Sequence, residues 1–219
     1  MQELLKQLAT CIERGKVDKN SPYPPDMKDQ EGASEITAKL LEEGVSADDI
    51  LKKSLMVGMN IVGDRFSQGK AFIPDLLIAA KAMNAAMAHL KPYFESGEAK
   101  HRGTMILGTV SGDLHDIGKN IVRMVLEGDG WKVVDLGVDV GSEKFLTALE
   151  ENPDAHVGMS ALLTTTMINM EASVKAIKEK NSDTKVFLGG APLSKEFNDK
   201  IGADGYFPDP HTFAKYLAA

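Results

Sequence analysis

The first part of the chain repeats its apolar residues at helical spacing. An opening run over about residues 2–14 sets Leu4, Leu8, Cys11 and Ile12 on one stripe. The following Ser21-Pro22-Tyr23-Pro24-Pro25 cannot be helical, because each proline ring removes a donor and restrains the residue before it. A second helix over about 31–43 carries Ile36, Leu40 and Leu41 and stops at Gly44. A third starts at Ser46, with Asp49 three residues on as a capping box, and carries Ile50, Leu51, Leu55, Ile61 and Val62. A fourth opens with Pro74 in its first turn, buries Leu76, Ala80, Met83, Met87 and Leu90, and stops near Pro92. Four amphipathic helices with short connections predict a helical bundle over residues 1–95.

A polar stretch, residues 96–102, reads as a linker, and after it the period changes. Short β-rich runs at 104–109, 132–136, 156–161, 185–188 and 205–207 alternate with helical runs near 118–128, 142–151, 167–180, 194–200 and 211–218. Five βα units over 103–219 predict a doubly wound, five-stranded parallel sheet, flavodoxin-like or Rossmann-like, and an α/β chain overall. In such sheets a ligand sits at the carboxyl ends of the strands.

Composition narrows the function classes. At 219 residues and 26% charged residues, the balance is that of a globular protein. Its apolar runs are too short to span a bilayer, and an acidic start after Met1 does not read as a signal peptide, so a cytoplasmic location is expected. A net charge of −7 without a Lys/Arg cluster argues against nucleic acid or an anionic membrane as partner. A single cysteine excludes an intrachain disulfide and a Cys-based zinc or iron–sulfur site, and the place of Cys11 on the apolar stripe reads as a small core residue rather than a reactive thiol. His89 is expected on a solvated helix face, His101 in the linker, His156 at a strand start and His211 at a helix start, and none has a metal-ligand partner at suitable spacing.

The loop after the first strand reads Gly112-Asp113-Leu114-His115-Asp116-Ile117-Gly118, an Asp-x-His-x-x-Gly pattern at the expected ligand edge. Taken alone, it also fits a loop or helix-capping histidine. Three further segments accompany it: Ser160-Ala161-Leu162-Leu163-Thr164-Thr165-Thr166 after the third strand, Gly189-Gly190-Ala191 after the fourth, and Val62-Gly63-Asp64-Arg65-Phe66 with Phe72-Ile73-Pro74-Asp75 in the helical half. Asp113 and Asp116 do not make a receiver-type Mg²⁺ site, since the third strand ends in Ser160 rather than a phosphoacceptor Asp. The triple threonine lacks the Gly-x-x-x-x-Gly-Lys of a phosphate loop.

Together these segments resemble the cap and cobalamin domains of methionine synthase and the corrinoid proteins of methyltransferase systems, over about residues 31–219. The resemblance implies that cobalamin is the cofactor and His115 the lower ligand of cobalt, replacing the cofactor's own benzimidazole (base-off, His-on). Neutral imidazole suits that metal. Asp113 would orient His115 and help pass a proton, and Thr166 stands at a relay position that is often Ser in methionine synthases, keeping the hydroxyl but restricting its rotamer. The flanking Gly112, Leu114, Asp116 and Ile117 would meet the corrin, and Gly118 would let backbone approach it closely. Ser160, Leu162, Thr164, Gly189, Gly190 and Ala191 would line the slot for the displaced nucleotide tail. Phe66 and Ile73 would lie over the methyl face.

The family further implies a non-catalytic corrinoid subunit that cycles between cob(I)alamin and methylcobalamin. A substrate-specific methyltransferase would load it, a methylcorrinoid:acceptor methyltransferase using a folate or a thiol would unload it, and a reductive activase would serve it. The chain has no room for a catalytic TIM barrel of about 250 residues. A cobalamin-dependent sensor is the alternative, yet such regulators usually add a basic helix-turn-helix for which this acidic chain has no residues left. A mutase small subunit would lack the helical half. The Pro-rich segment 18–30 departs from a compact cap and reads either as a docking loop or as an insertion.

Overall fold

A computed structural model describes residues 1–218. Five parallel strands form one sheet: β1 (Thr104–Thr109), β2 (Lys132–Asp135), β3 (His156–Ser160), β4 (Val186–Gly189) and β5 (Gly205–Tyr206), in the order β2-β1-β3-β4-β5. That is the flavodoxin-like order, and its switch point lies between β1 and β3. The central strand β1 is buried from Met105 to Thr109, as expected of a parallel strand covered on both faces. Register aligns Thr109 with Ser160 and Ser160 with Gly189, so the carboxyl ends of β1, β3 and β4 form one row. Ile106, Val110, Val157, Val186 and Phe145 are fully buried in the core beneath that row.

In the helical unit, α1 (Gln2–Arg14) and α2 (Ala33–Glu42) precede a helix in three parts: α3 (Ala47–Ile50), a π-helical turn (Leu51–Leu55) and α4 (Met56–Ser67). The long α5 (Ile73–Glu95) follows. Helix α1 packs on α4 and α5, and α2 on α5, around Leu8, Ile12, Ile36, Leu40, Leu55, Met83 and Leu90. Ser46 does cap α3, its hydroxyl accepting the Asp49 N–H at 3.1 Å, but Asp49 turns its carboxylate to Lys53, so only half of a capping box forms. Helix α5 runs through Pro92 rather than stopping there. Pro92 lies in the last turn and is exposed, as is Ala88, whose carbonyl its ring frees one turn earlier. Cys11 is fully buried, and burial pushes its thiol up to about 11. His89 is half-buried, not solvated: its Nε2 pairs with the Ser34 hydroxyl at 2.9 Å. Segment 18–30 folds onto the unit, with Met27 buried and Asp26 holding Arg14 through two hydrogen bonds of 2.6 and 2.8 Å.

The chain divides into two compact units, Met1–His101 with Gly128–Gly130, and Arg102–Glu127 with the residues from Trp131 onward. The second unit carries α6 (Ile117–Gly128), α7 (Ser142–Glu151), α8 (Met167–Lys180), α9 (Lys195–Ile201) and α10 (Pro210–Ala218) around the sheet. Among the described residues no helix is long and apolar enough to cross a membrane.

Candidate functional site

The loops after β1 and β3 meet at the switch point, and one carboxylate joins them. Asp113 is fully buried. Its Oδ2 accepts the backbone N–H groups of Leu162 and Leu163 at 2.7 and 3.1 Å and lies 3.0 Å from the Thr166 hydroxyl. Its Oδ1 accepts the His115 backbone N–H at 3.1 Å and faces His115 Nδ1 at 2.7 Å. Burial pushes this carboxyl up, but the Leu162 N–H, the His115 ring and the other donors outweigh it and hold it well below the ordinary carboxylate range. Asp113 is therefore ionised at neutral pH and can only accept. Thr166 Oγ1 also lies 2.8 Å from the Leu163 carbonyl, so its one proton has two acceptors to choose from.

An ionised acceptor settles the histidine. Nδ1 must carry the proton it donates to Asp113, so that in the neutral ring the lone pair falls on Nε2. The side chain of His115 is 52% exposed, so a free nitrogen lone pair points out of a fixed ring at the sheet's carboxyl edge. The Thr109 hydroxyl anchors the same residue through its carbonyl at 2.9 Å.

Around that ring lies apolar surface. Leu114 is 72% and Ile117 70% exposed, and Leu162 and Leu163, whose N–H groups bind Asp113, are also exposed in part. Such residues make a platform for a flat, largely apolar ligand. Two glycines fit the same purpose. A Cβ on Gly118, in the first turn of α6, would meet nothing within 4 Å, and one on Gly189 would make only ordinary contact with the Phe207 carbonyl. No neighbour within the protein requires glycine at either position. Gly190 is different: φ is +138° and a Cβ would sit 1.8 Å from the Ala161 carbonyl oxygen, so the crossing of two loops already demands glycine.

Ser160, Leu162, Thr164, Gly189, Gly190 and Ala191 all lie at or just beyond the ends of β3 and β4. Asp116 is exposed and receives the Asn120 side-chain amide at 3.0 Å, bracing the start of α6. In the helical unit Phe66 is half-buried near the end of α4, and Ile73 opens α5 with its side chain exposed. Ile61, read from its spacing as part of the third helix's apolar set, is also exposed, and it shares the α4 face with exposed Val57. Sequence reasoning missed Lys119, whose buried ammonium holds Asp135 at 2.6 Å and ties α6 to β2. It missed Asp139 and Asn169 as well, which grip the Ser111–Gly112 turn from the loop after β2 and from α8. A lone Asp or Asn outside the motif carries no spacing signal.

The family defined as the B12 binding domain matches residues 103–214, and a second B12 binding domain family matches residues 28–91. A corrinoid protein of Desulfitobacterium hafniense is 38% identical over 183 residues, 81% of this chain and 85% of that one. The trimethylamine corrinoid protein 1 of Methanosarcina mazei is 41% identical over 182 residues, 81% of this chain and 84% of that one. This chain belongs to the B12-binding corrinoid proteins of methyltransferase systems. Its cofactor is cobalamin. Among solved structures it resembles a cobalamin-binding protein of Desulfitobacterium hafniense, with TM-score 0.71 and 34% identity over 84% of this chain and 88% of the other. It also resembles a methanol:cobalamin methyltransferase complex of Methanosarcina barkeri, with TM-score 0.80 and 29% identity over 99% of this chain and 80% of the matched chain.

Proposed function

We propose that this corrinoid protein is a methyl carrier that holds cobalamin base-off, with Nε2 of His115 as the lower cobalt ligand. Cobalamin, when bound, supplies a metal centre that takes up and gives up a methyl group. The observation that carries the reading is the Asp113–His115 pair: a buried, ionised carboxylate fixes the tautomer that leaves Nε2 free at the surface. Leu114 and Ile117 supply the apolar bed, and Gly118 admits close backbone approach. Gly189, with Ser160 and Thr164 beside it, suits the slot for the displaced nucleotide, and Ala191 borders it. An imidazole off the metal would take a proton from solvent at Nε2; Asp113 would stabilise that imidazolium, and the Thr166 hydroxyl, within reach of both Asp113 Oδ2 and the Leu163 carbonyl, could turn between them to match the change of charge.

The helical unit offers exposed apolar surface at Val57, Ile61 and Ile73, with Phe66 beside the turn that leads into α5. We assign Phe66 and Ile73 the task of shielding the methyl group between transfers. A substrate-specific methyltransferase loads the carrier, a methylcorrinoid:acceptor methyltransferase using a folate or a thiol unloads it, and a reductive activase restores it after oxidation. A trimethylamine corrinoid protein and a chain of a methanol:cobalamin methyltransferase complex among its relatives support the first of these partners. The test is reconstitution with hydroxocobalamin after labelling histidine with ¹⁵N. The Co(II) spectrum should show hyperfine coupling that changes with the label. Coupling that ignores the label, from the benzimidazole alone, overturns the reading.

A further inference from the structure

The ligand loop turns sharply between β1 and α6. In three residues it must send Asp113 inward and His115 outward. Val110 and Asp113 close the turn, the Asp113 N–H donating to the Val110 carbonyl at 3.1 Å, and Gly112 sits at its third position with φ +82°. A positive φ at that position directs the central N–H away from the turn, where nothing in the turn itself can accept it. Asp139, in the loop between β2 and α7, supplies the missing acceptor. Its Oδ1 takes the Gly112 N–H at 2.7 Å and the Ser111 hydroxyl at 3.1 Å. Its own backbone N–H donates to the Asp113 carbonyl at 3.1 Å. From α8 the Asn169 amide donates to the Ser111 carbonyl at 2.7 Å.

Asp139 makes both contacts with φ at +53°, a conformation that costs any residue with a side chain and that Asp and Asn tolerate best. The side chain and the main chain of one residue thus clasp the peptide before Gly112 and the peptide after Asp113. Such a strained residue persists only where its surroundings over-determine it, and it tends to mark a place where geometry matters to function.

We propose that Asp139 is a positioning residue for the cobalt ligand: its carboxylate clasps the Ser111–Gly112 turn so that Asp113 and His115 keep their places while the imidazole leaves and retakes the metal. The inference rests on the proposed ligation by His115. What matters is the acceptor at a fixed point, not the charge. Asparagine, which offers the same oxygen and tolerates the same φ, therefore preserves the function. Glycine keeps the φ and the N–H to Asp113 but loses the clasp.

The experiment compares wild type, Asp139→Asn and Asp139→Gly, each reconstituted with hydroxocobalamin and reduced to Co(II). Asp139→Gly relieves strain as it loses bonds, so the apo protein should unfold in urea within a few tenths molar of wild type. Its Gly112 amide should exchange with solvent at least about tenfold faster. The loaded protein should show a His-off to His-on ratio raised about tenfold in its Co(II) spectrum, and a one-electron potential less negative by about 59 mV. Asp139→Asn should return the ratio to within about threefold of wild type. A wild-type ratio in Asp139→Gly overturns the inference, and so does an asparagine variant as impaired as the glycine one. If wild type itself shows no label-dependent histidine coupling, the ligation reading fails and the inference fails with it. Coupling present in wild type and unmoved in the variants sinks the inference alone.

Discussion

Replacing Asp113 with asparagine should do more than remove a charge: it should reverse the histidine. The carboxylate receives five donors, the N–H groups of Leu162, Leu163 and His115, the Thr166 hydroxyl and the His115 ring. An amide offers one oxygen and one NH₂. The oxygen is best placed on the Oδ2 side, where three donors converge. The NH₂ then faces His115, whose Nδ1 must become the acceptor, moving the ring proton to Nε2. The nitrogen that bears the lone pair for cobalt loses it, and the His115 backbone N–H loses its partner. Hydrogen bonds to a charged group contribute about 1.5–3 kcal/mol each, and a buried donor left unpaired costs about 1–3 kcal/mol. Histidine ligation should weaken about 10–100-fold, equivalent to roughly 1.4–2.7 kcal/mol. Loss of the ligand itself, in His115→Ala, should be more severe. Long-range ¹H–¹⁵N correlation on the labelled apo protein reads the tautomer, and the Co(II) spectrum reads the ligation. An asparagine variant that keeps the Nδ1–H tautomer and wild-type coupling would refute the reasoning. The acid limb gives an independent check. The folded carboxyl lies below its ordinary value of 3.8, so its contribution to stability is fully present above that pH and fades as pH falls through the folded value. The stability gap between wild type and Asp113→Asn should close on the same limb.

The glycines make opposite predictions. Gly118→Ala should stabilise the apo protein by up to about 1 kcal/mol through helix propensity while weakening cobalamin binding, and a variant that binds as wild type does would show that no ligand approaches there. Gly190→Ala should lower the melting temperature of the apo protein, because its Cβ meets the Ala161 carbonyl at 1.8 Å. Gly189→Val should melt near wild type yet lose complete cobalamin more than a tailless corrinoid, and equal loss of both would place the tail elsewhere. Burial, and then the nearby Lys185, lower the pKa of His156 from 6.5 against the pull of Asp204. The folded state therefore resists its protonation, and urea stability should fall as pH drops below about 6.5. His156→Phe should flatten that part of the profile.

Much of this protein is written in local pattern. The change from a 3.6-residue period to short β-rich runs after residue 102 places all five strands to within about a residue, because each buried strand must be apolar and each helix must show an apolar stripe. Asp113 and His115 are legible for a similar reason: two residues apart on one loop, they are near each other by sequence alone. What the local pattern could not decide is everything that comes from elsewhere in the chain. Asp113 looks like one acid among many until Leu162, Leu163 and Thr166 arrive from the end of β3, 49 to 53 positions along, and turn it into a buried, ionised acceptor. Gly190 and Gly189 read alike in sequence. Only the crossing of Ala161 shows that one is required by the backbone and the other by nothing in the protein. Asp139 has no motif at all, because its partners are Ser111 and Gly112, 28 and 27 positions away. Spacing along a chain records neighbours on one element, whereas the strand order β2-β1-β3 alone decides which loops share an edge.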